Sequence, residues 1–267
     1  KKYFYTNAEY MQELKSLVEN GKEAIGSFPY TAALNMLQAR PQLFFDFFKQ
    51  NFAQVTNPPL DSIREKSVFS LTTTVTSVTS LHDERLDYPV YEFSTPILTG
   101  DQWMALSEEE AFDPRFIFLE YESTLKEAVD QLRHDVKKAV LAGSRLLILE
   151  QEAEGKTIPS LMATAIAHEV LVEMGKRLEV RLAVCCADAR LPIHHAMLLA
   201  YGADVIYPYF CYEYIQHQTK LFADEAYDNY IAGCNQALLK LMAKMGVATV
   251  DSYRGSKVFE VVGLDQE

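Results

Sequence analysis

The sequence predicts an α/β chain: repeated βα units forming half a barrel or an open parallel sheet, behind an irregular, mostly helical first part. Three observations carry this. From residue 115 onward, short apolar runs alternate with amphipathic segments. Those segments mostly start at a capping residue or a proline and end at a glycine. The first 110 residues show no such regularity, so they read as a unit that wraps the repeats.

In chain order, Thr6 and Glu9 make a capping box for a surface helix with apolar Met11, Leu14, Leu17 and Val18, closed by Gly21. Leu43, Phe44, Phe45, Phe47, Phe48 and Phe52, within Pro41–Val55, predict a fully buried helix. Asn57-Pro58-Pro59 stops it, because proline removes a donor and biases its predecessor away from helix. Ser67–Ser80, rich in Ser, Thr and Val, is expected to be extended. Phe116–Leu119 reads as a buried strand. Thr124 and Glu127 cap a helix with Leu125, Val129, Leu132, Val136 and Val140 on one face, ended by Gly143. Leu146–Leu149 is the next strand, Pro159 to Gly175 a helix, Leu182–Cys185 a strand and Pro192 to Gly202 a helix. Val205–Tyr207 is the fourth strand, followed by helices over Tyr212–Leu221 and Asp224–Met245. Val247–Val250 begins a fifth unit, with Lys257–Val262 helical.

Such alternation implies a parallel sheet with right-handed crossovers and sites at the carboxyl ends of its strands. Four to five units are too few to close an eight-stranded barrel. The chain also stops directly after the fifth unit with no closing element, as a fragment would.

Composition excludes several classes. With 267 residues, 49% of them hydrophobic, the chain can bury a sizeable core. A net charge of −12 excludes nucleic acid and anionic membrane as main partners. No stretch reaches the roughly 18 apolar residues of a membrane span, and Lys1-Lys2-Tyr3 does not open a signal peptide. The four cysteines, 185, 186, 211 and 234, form no Cys-x-x-Cys pair, so neither zinc nor an iron–sulfur cluster is signalled. They read as buried thiols of a reducing compartment, and the expected location is cytoplasmic.

Chemistry-bearing residues are present but form no strong motif. His194-His195 opens a helix near Asp188 and Arg190. Adjacent helical residues point about 100° apart, whereas a metal pair needs one turn between ligands, so a packed helix start is expected. His168-Glu169 lacks the second histidine of a zinc protease, and His82 and His217 carry no signal. Phosphate-loop and hydrolase-elbow motifs are absent. The best anion-binding candidate is the turn Ser252-Tyr253-Arg254-Gly255-Ser256, read as lying between a strand and a helix, although a plain tight turn has the same pattern. Cys185-Cys186 and Met242, Lys244 and Met245 fit core positions.

Three stretches go further. L-F-F-D-F-F-K-Q-N-F-A-Q-V-T-N-P-P-L-D-S-I-R-E at 43–65 closely resembles a signature of the glutamate synthase large-subunit family. Ile193-His194-His195, with Tyr201-Gly202-Ala203-Asp204 and Pro208-Tyr209, is similar to a second signature. Leu239–Val247 with Ser252-Tyr253-Arg254-Gly255 is similar to a third. They follow the family's order and span nearly the whole chain.

The resemblance implies a central domain between a glutamine amidotransferase and an FMN-binding barrel, itself an incomplete, rudimentary TIM-barrel-like domain. It divides the chain into 1–114 (helical, irregular), 115–245 (βα repeats) and 246–267 (start of the FMN-binding domain). It implies an enzyme making two glutamates from glutamine and 2-oxoglutarate, in which this chain is non-catalytic and binds no cofactor alone. FMN and an iron–sulfur cluster belong to the parent, and the partners are its amidotransferase and FMN domains. Thr56 and Asn57 match the family's tunnel-lining T-N, and would form a wall for ammonia. Ser27 and Phe28 match a stretch near the FMN and 2-oxoglutarate pocket, but the family's methionine and glycine are replaced here by Phe28 and Pro29. The alternatives are a free-standing small α/β enzyme using Asp188, His194 and Arg254, and a pure interaction module that docks through the aromatic first half.

Overall fold

The computed structural model describes residues 3, 5–24, 42–51, 60–77 and 88–264. Helix α1 (Asn7–Glu9), a π-helical turn (Tyr10–Leu14) and α2 (Lys15–Asn20) run on without a break. Thr6 Oγ1 accepts the Glu9 N–H at 3.1 Å, and Gly21 closes α2 at φ +60°. Leu14, Leu17 and Val18 are buried, but Met11 is exposed.

The helix expected over Pro41–Val55 does not form in its described part. Phe44–Phe47 make one 3-10 turn, and the chain straightens into β1 (Phe48–Gln50). Helix α3 (Ser62–Val68) is capped by Asp61, whose Oδ1 accepts the N–H groups of Ile63 and Arg64. Ser67 and Val68 therefore end a helix, and the extended reading holds for β2 (Thr73–Val75), antiparallel to β3 (Tyr91–Phe93).

Helix α4 (Gly100–Ser107) precedes the repeats: β4 (Arg115–Phe118), α5 (Leu125–Leu141), β5 (Leu146–Glu150), α6 (Ser160–Glu173), β6 (Arg181–Cys185), α7 (Pro192–Ala200) and β7 (Val205–Tyr207). Thr124 and Glu127 form the reciprocal capping box of α5, and Gly143 and Gly175 take positive φ beyond α5 and α6. Next come α8 (Tyr209–Gln218), α9 (Ala223–Met245), α10 (Val250–Tyr253) and β8 (Phe259–Val261).

Strands β4 to β7 form one parallel sheet in sequence order. The fifth unit is different. Val247–Val250 is not a strand: Thr249 makes one bridge to Ser70 and caps α10. Lys257–Val262 is not helical: its core is β8, antiparallel to β1 with Phe48 opposite Val261. Aromatic and β-branched side chains suit a pleated pair better than a helix, and only the folded chain brings these distant segments together.

The register puts Phe116, Ile148, Ala183 and Val205 on one face. In a closed barrel this would be the interior. Here Val75, Phe93, Leu98, Trp103, Leu106 and Phe112 pack against its buried residues. Helices α5 to α7 cover the other face through Ile117, Leu147, Leu149, Leu182, Val184 and Ile206. The result is an incomplete, TIM-barrel-like α/β fold. The free side of β7 is occupied by 96–98: the Ile206 N–H donates to Pro96 O, and the Leu98 N–H to Ile206 O. β4 is not the buried strand expected, since Phe116 is 45% and Phe118 62% exposed. Helix α2 lies across α9 at Gly233, where a Cβ would come 2.5 Å from Leu17 Cδ2.

Candidate functional site

In a βα fold the natural site lies at the carboxyl ends of the strands. Here β5 runs into Gln151 and β6 into Cys186, Ala187 and Asp188, all buried. Gln151 Oε1 accepts the N–H groups of Ala187 and Asp188, and its Nε2 donates to Ile158 O and Asp188 Oδ2. Asp188 also accepts from the N–H and hydroxyl of Ser160 at the start of α6. Burial pushes its carboxyl up, against those donors. Both groups are saturated.

Arg190 stands beside them, 3% exposed. Its Nε meets Glu9 Oε1 at 2.6 Å, its Nη1 donates to Tyr3 O at 2.8 Å, and its guanidinium lies 4.4 Å from the Tyr5 ring centre. Tyr3 OH donates to Glu152 O and Tyr5 OH to Ala187 O. The N-terminal segment is thus strapped over the carboxyl ends, with Tyr3 and Tyr5 packed edge-on against Phe210.

His194 and His195 are buried at the start of α7, as expected. His194 Nδ1 accepts the Arg190 N–H, and its ring stacks on Phe45 at 4.3 Å. Tyr230 OH donates to Arg190 O, so its oxygen receives the proton of His195 Nε2 at 2.7 Å. Burial lowers both imidazoles, His195 to about 3. These are neutral packing groups, and no set of three or more His, Cys, Asp or Glu among the described residues could hold a metal. Burial also pushes the Cys185 and Cys186 thiols up, which removes them as nucleophiles. Met242 and Met245 join the core.

The amino ends of the strands hold a second cluster that sequence reasoning missed. Asp204 is fully buried. It faces Arg177 Nη2 at 2.9 Å, Arg254 Nη1 at 2.9 Å and Arg181 Nη1 at 3.4 Å, and accepts the Leu182 N–H at 2.7 Å. Burial disfavours its charge, but the arginines outweigh it, with Arg177 first, and hold the carboxyl well below its usual range. His168 Nδ1 accepts from Arg177 Nε, and burial and that arginine lower it to about 4. No local pattern links residues 168, 177, 181, 204 and 254.

Arg254 settles the Ser252–Ser256 turn. It follows a four-residue helix and precedes a strand, its guanidinium is held by Asp204 and Asp251, and Tyr253 OH donates to Ala196 O. This turn is not a vacant anion cradle. Asp188 and His194 sit at the carboxyl ends and Arg254 at the amino ends, so the trio of the free-standing enzyme is not brought together. At the carboxyl ends of β5 and β6, where a βα fold would seat a flavin, the strap of Tyr3, Tyr5 and Glu9 lies over Ala187 and Arg190. Ser27, Phe28, Thr56, Asn57 and His82 lie outside the described residues. His217 is exposed at the end of α8. No helix among the described residues is long and apolar enough to cross a membrane.

Comparison with known proteins gives a consistent family. The family model described as glutamate synthase central domain matches residues 1–265. The glutamate synthase [NADPH] large chain of Bacillus subtilis is 33% identical over 278 residues, covering 100% of this chain and 18% of that protein. The large chain of Azospirillum brasilense is 32% identical, covering 95% of this chain and 18% of that protein. Glutamate synthase [NADH] of Saccharomyces cerevisiae is 31% identical, covering 98% and 13%. The chain therefore spans less than a fifth of these relatives. Among solved structures, a mandelate oxidase aligns at TM-score 0.47 with 8% identity, over 82% of this chain and 88% of that one. A flavocytochrome b2 aligns at 0.44 with 14% identity, over 64% and 43%. These two likenesses are too slight to carry an argument.

Proposed function

The chain belongs to the glutamate synthase central-domain family, and from that premise we propose that it is the connecting, non-catalytic domain of an enzyme making two glutamates from glutamine and 2-oxoglutarate. In this reading it holds an amidotransferase domain and an FMN domain at a fixed spacing, and Thr56 and Asn57 wall the path of ammonia between them. The parent supplies the FMN and the iron–sulfur cluster. Ser27 and Phe28 lie near the flavin and 2-oxoglutarate pocket, and the enzyme works in the cytoplasm.

The observation that supports this best is the closed state of the carboxyl ends of β5 and β6. Where a βα enzyme keeps a pocket, this chain has Arg190 clamped by Glu9 and the Tyr3 carbonyl, over a saturated Gln151–Asp188 pair. Such a site positions other elements and reacts with nothing. An amide and a hydroxyl at 56–57 can hydrogen-bond ammonia in transit without consuming it.

The test uses the full gene product with its own electron donor. Asn57→Trp is expected to leave glutamine hydrolysis running while the glutamate made from 2-oxoglutarate falls and free ammonia accumulates. Unchanged coupling in Asn57→Trp would overturn the tunnel reading. Turnover by the 267-residue chain alone would overturn the non-catalytic one.

A further inference from the structure

Among the described residues, no strand lies beside the outer edge of β4. The Leu119 N–H donates to Glu150 O on the β5 side. Because successive residues of a strand point their backbone groups to opposite sides, Arg115 and Ile117 also face β5. The N–H and C=O groups of Phe116 and Phe118 face outward, with no partner among the described residues. The same two residues expose their rings, at 45% and 62%. Proteins ordinarily blunt an open edge with charge, proline or a covering loop, as 96–98 does for β7. Two exposed phenylalanines on unpaired backbone do the opposite, and mark an edge that is covered in use.

The electrostatics beside this edge are one-sided. At the end of β4 a cleft of about 570 Å³ opens between the strand and the start of α5. Phe118 and Leu132 supply apolar wall, and Glu120, Glu122, Glu127 and Asp135 supply carboxylates, with no lysine or arginine among the described residues lining it. An adjoining cleft shares Glu120 and Glu122 and has Lys156 as its one cation. Glu150, paired with Phe118 across the sheet, has its carboxyl raised by burial and then by Glu120 and Glu152, so negative charge is crowded here.

We infer that the outer edge of β4 is a docking surface for an extended, basic segment of another domain of the same polypeptide. The segment adds to the sheet beside Phe116 and Phe118 and places a lysine or arginine in the cleft at Glu122 and Asp135. Backbone pairing at a sheet edge gives affinity, and alternate side chains give selectivity. A second copy of this chain fits poorly, since it would bring the same carboxylates against themselves. The connecting-domain reading is needed only to identify where the segment comes from.

Hydrogen exchange resolved at single amides in the full gene product tests this. The amides of Phe116 and Phe118 are expected to be protected, and Glu122→Lys with Asp135→Lys is expected to speed their exchange by at least about tenfold. Ile117, whose amide faces β5, should be unchanged and reports that β4 is intact. Glu120 and Glu127 are left alone because both accept backbone N–H groups. If Ile117 also accelerates, the near-isosteric pair Glu122→Gln and Asp135→Asn decides, by the same difference between Phe118 and Ile117. Free exchange of Phe116 and Phe118 in the wild type overturns the inference. Protection that survives both charge variants, or that rises with protein concentration as a second copy would require, overturns it as well. Ammonia channelling that persists with an unprotected edge refutes the docking alone. A failed Asn57→Trp result refutes the tunnel and leaves the exchange pattern standing.

Discussion

Replacing Asp204 with asparagine keeps the side chain's volume and withdraws one negative charge from among three guanidinium groups. The effect can be apportioned from the contacts. Arg177 retains Val180 O at 3.0 Å, Gly202 O at 2.7 Å and His168 Nδ1 at 3.0 Å. Arg181 retains Thr76 O at 2.6 Å. Arg254 has only Asp251 left, which is 62% exposed while Arg254 itself is 9% exposed. The stranded charge is therefore mainly that of Arg254, and breaking a buried pair by removing one partner costs about 3–5 kcal/mol. Urea denaturation of the chain at pH 7 should show a loss of that size. Asp204→Asn with Arg254→Met should recover about 1.5 kcal/mol or more relative to the sum of the single changes, because the two residues touch. The pH dependence has a definite sign. The native carboxyl is depressed below an unfolded value of about 3.9, so its contribution is full above that pH and is lost as pH falls toward the native value. The gap between wild type and Asp204→Asn should accordingly narrow below about pH 4. A loss under about 1 kcal/mol at pH 7, or a double variant whose loss equals the sum of the two single losses, would refute this account of the cluster.

Two further outcomes follow from the same end of the sheet. Gly202 has φ +117°, and a Cβ there would lie 2.4 Å from His168 Nδ1, so Gly202→Ala combines backbone strain with overpacking. It should destabilise the chain by about 3 kcal/mol or more, measured by denaturant midpoint. His168 is held to about 4 against about 6.5 unfolded. Its contribution is thus full above 6.5 and falls as pH drops from 6.5 toward 4. His168→Gln, which keeps an acceptor for Arg177, should flatten the stability profile in that window, while the deeper-buried His195 maintains some slope.

The βα series was legible because each of its signals is local. Thr124 and Glu127 cap α5 within four residues, Pro159 and Gly175 bracket α6, and the runs at 146–149 and 182–185 are apolar on both faces. Two of the misread segments, around Phe48 and Phe259, are both halves of one pair. Their strand character comes from each other across more than two hundred residues, and no window contains it. Phe116–Leu119 was found as a strand but placed in the core, because an apolar run looks the same whether or not a neighbouring strand exists. At the site, the packed role of His194-His195 followed from their adjacency. Arg254 was noticed as a turn residue, but its partner Asp204 carries no signal nearby, and the N-terminal strap has no counterpart in any motif. The ammonia-path and pocket residues came from resemblance alone.

The distribution of occupied and open groups agrees with the connecting role proposed above. Opening a pocket at the carboxyl ends of β5 and β6 would require lifting Tyr3, Tyr5 and Glu9 away from Arg190. That would leave a guanidinium at 3% exposure without its carboxylate, at a cost of several kcal/mol. At the amino ends the three arginines are held by Asp204, which keeps β6, β7 and α10 in one rigid arrangement. Both ends are therefore fixed by their own charges and contribute stiffness. The outward backbone groups of Phe116 and Phe118 have no partner among the described residues and their rings are exposed, and groups of that kind recognise another polypeptide. A chain held at both ends by buried ion pairs and open along one edge agrees with the connecting role proposed above.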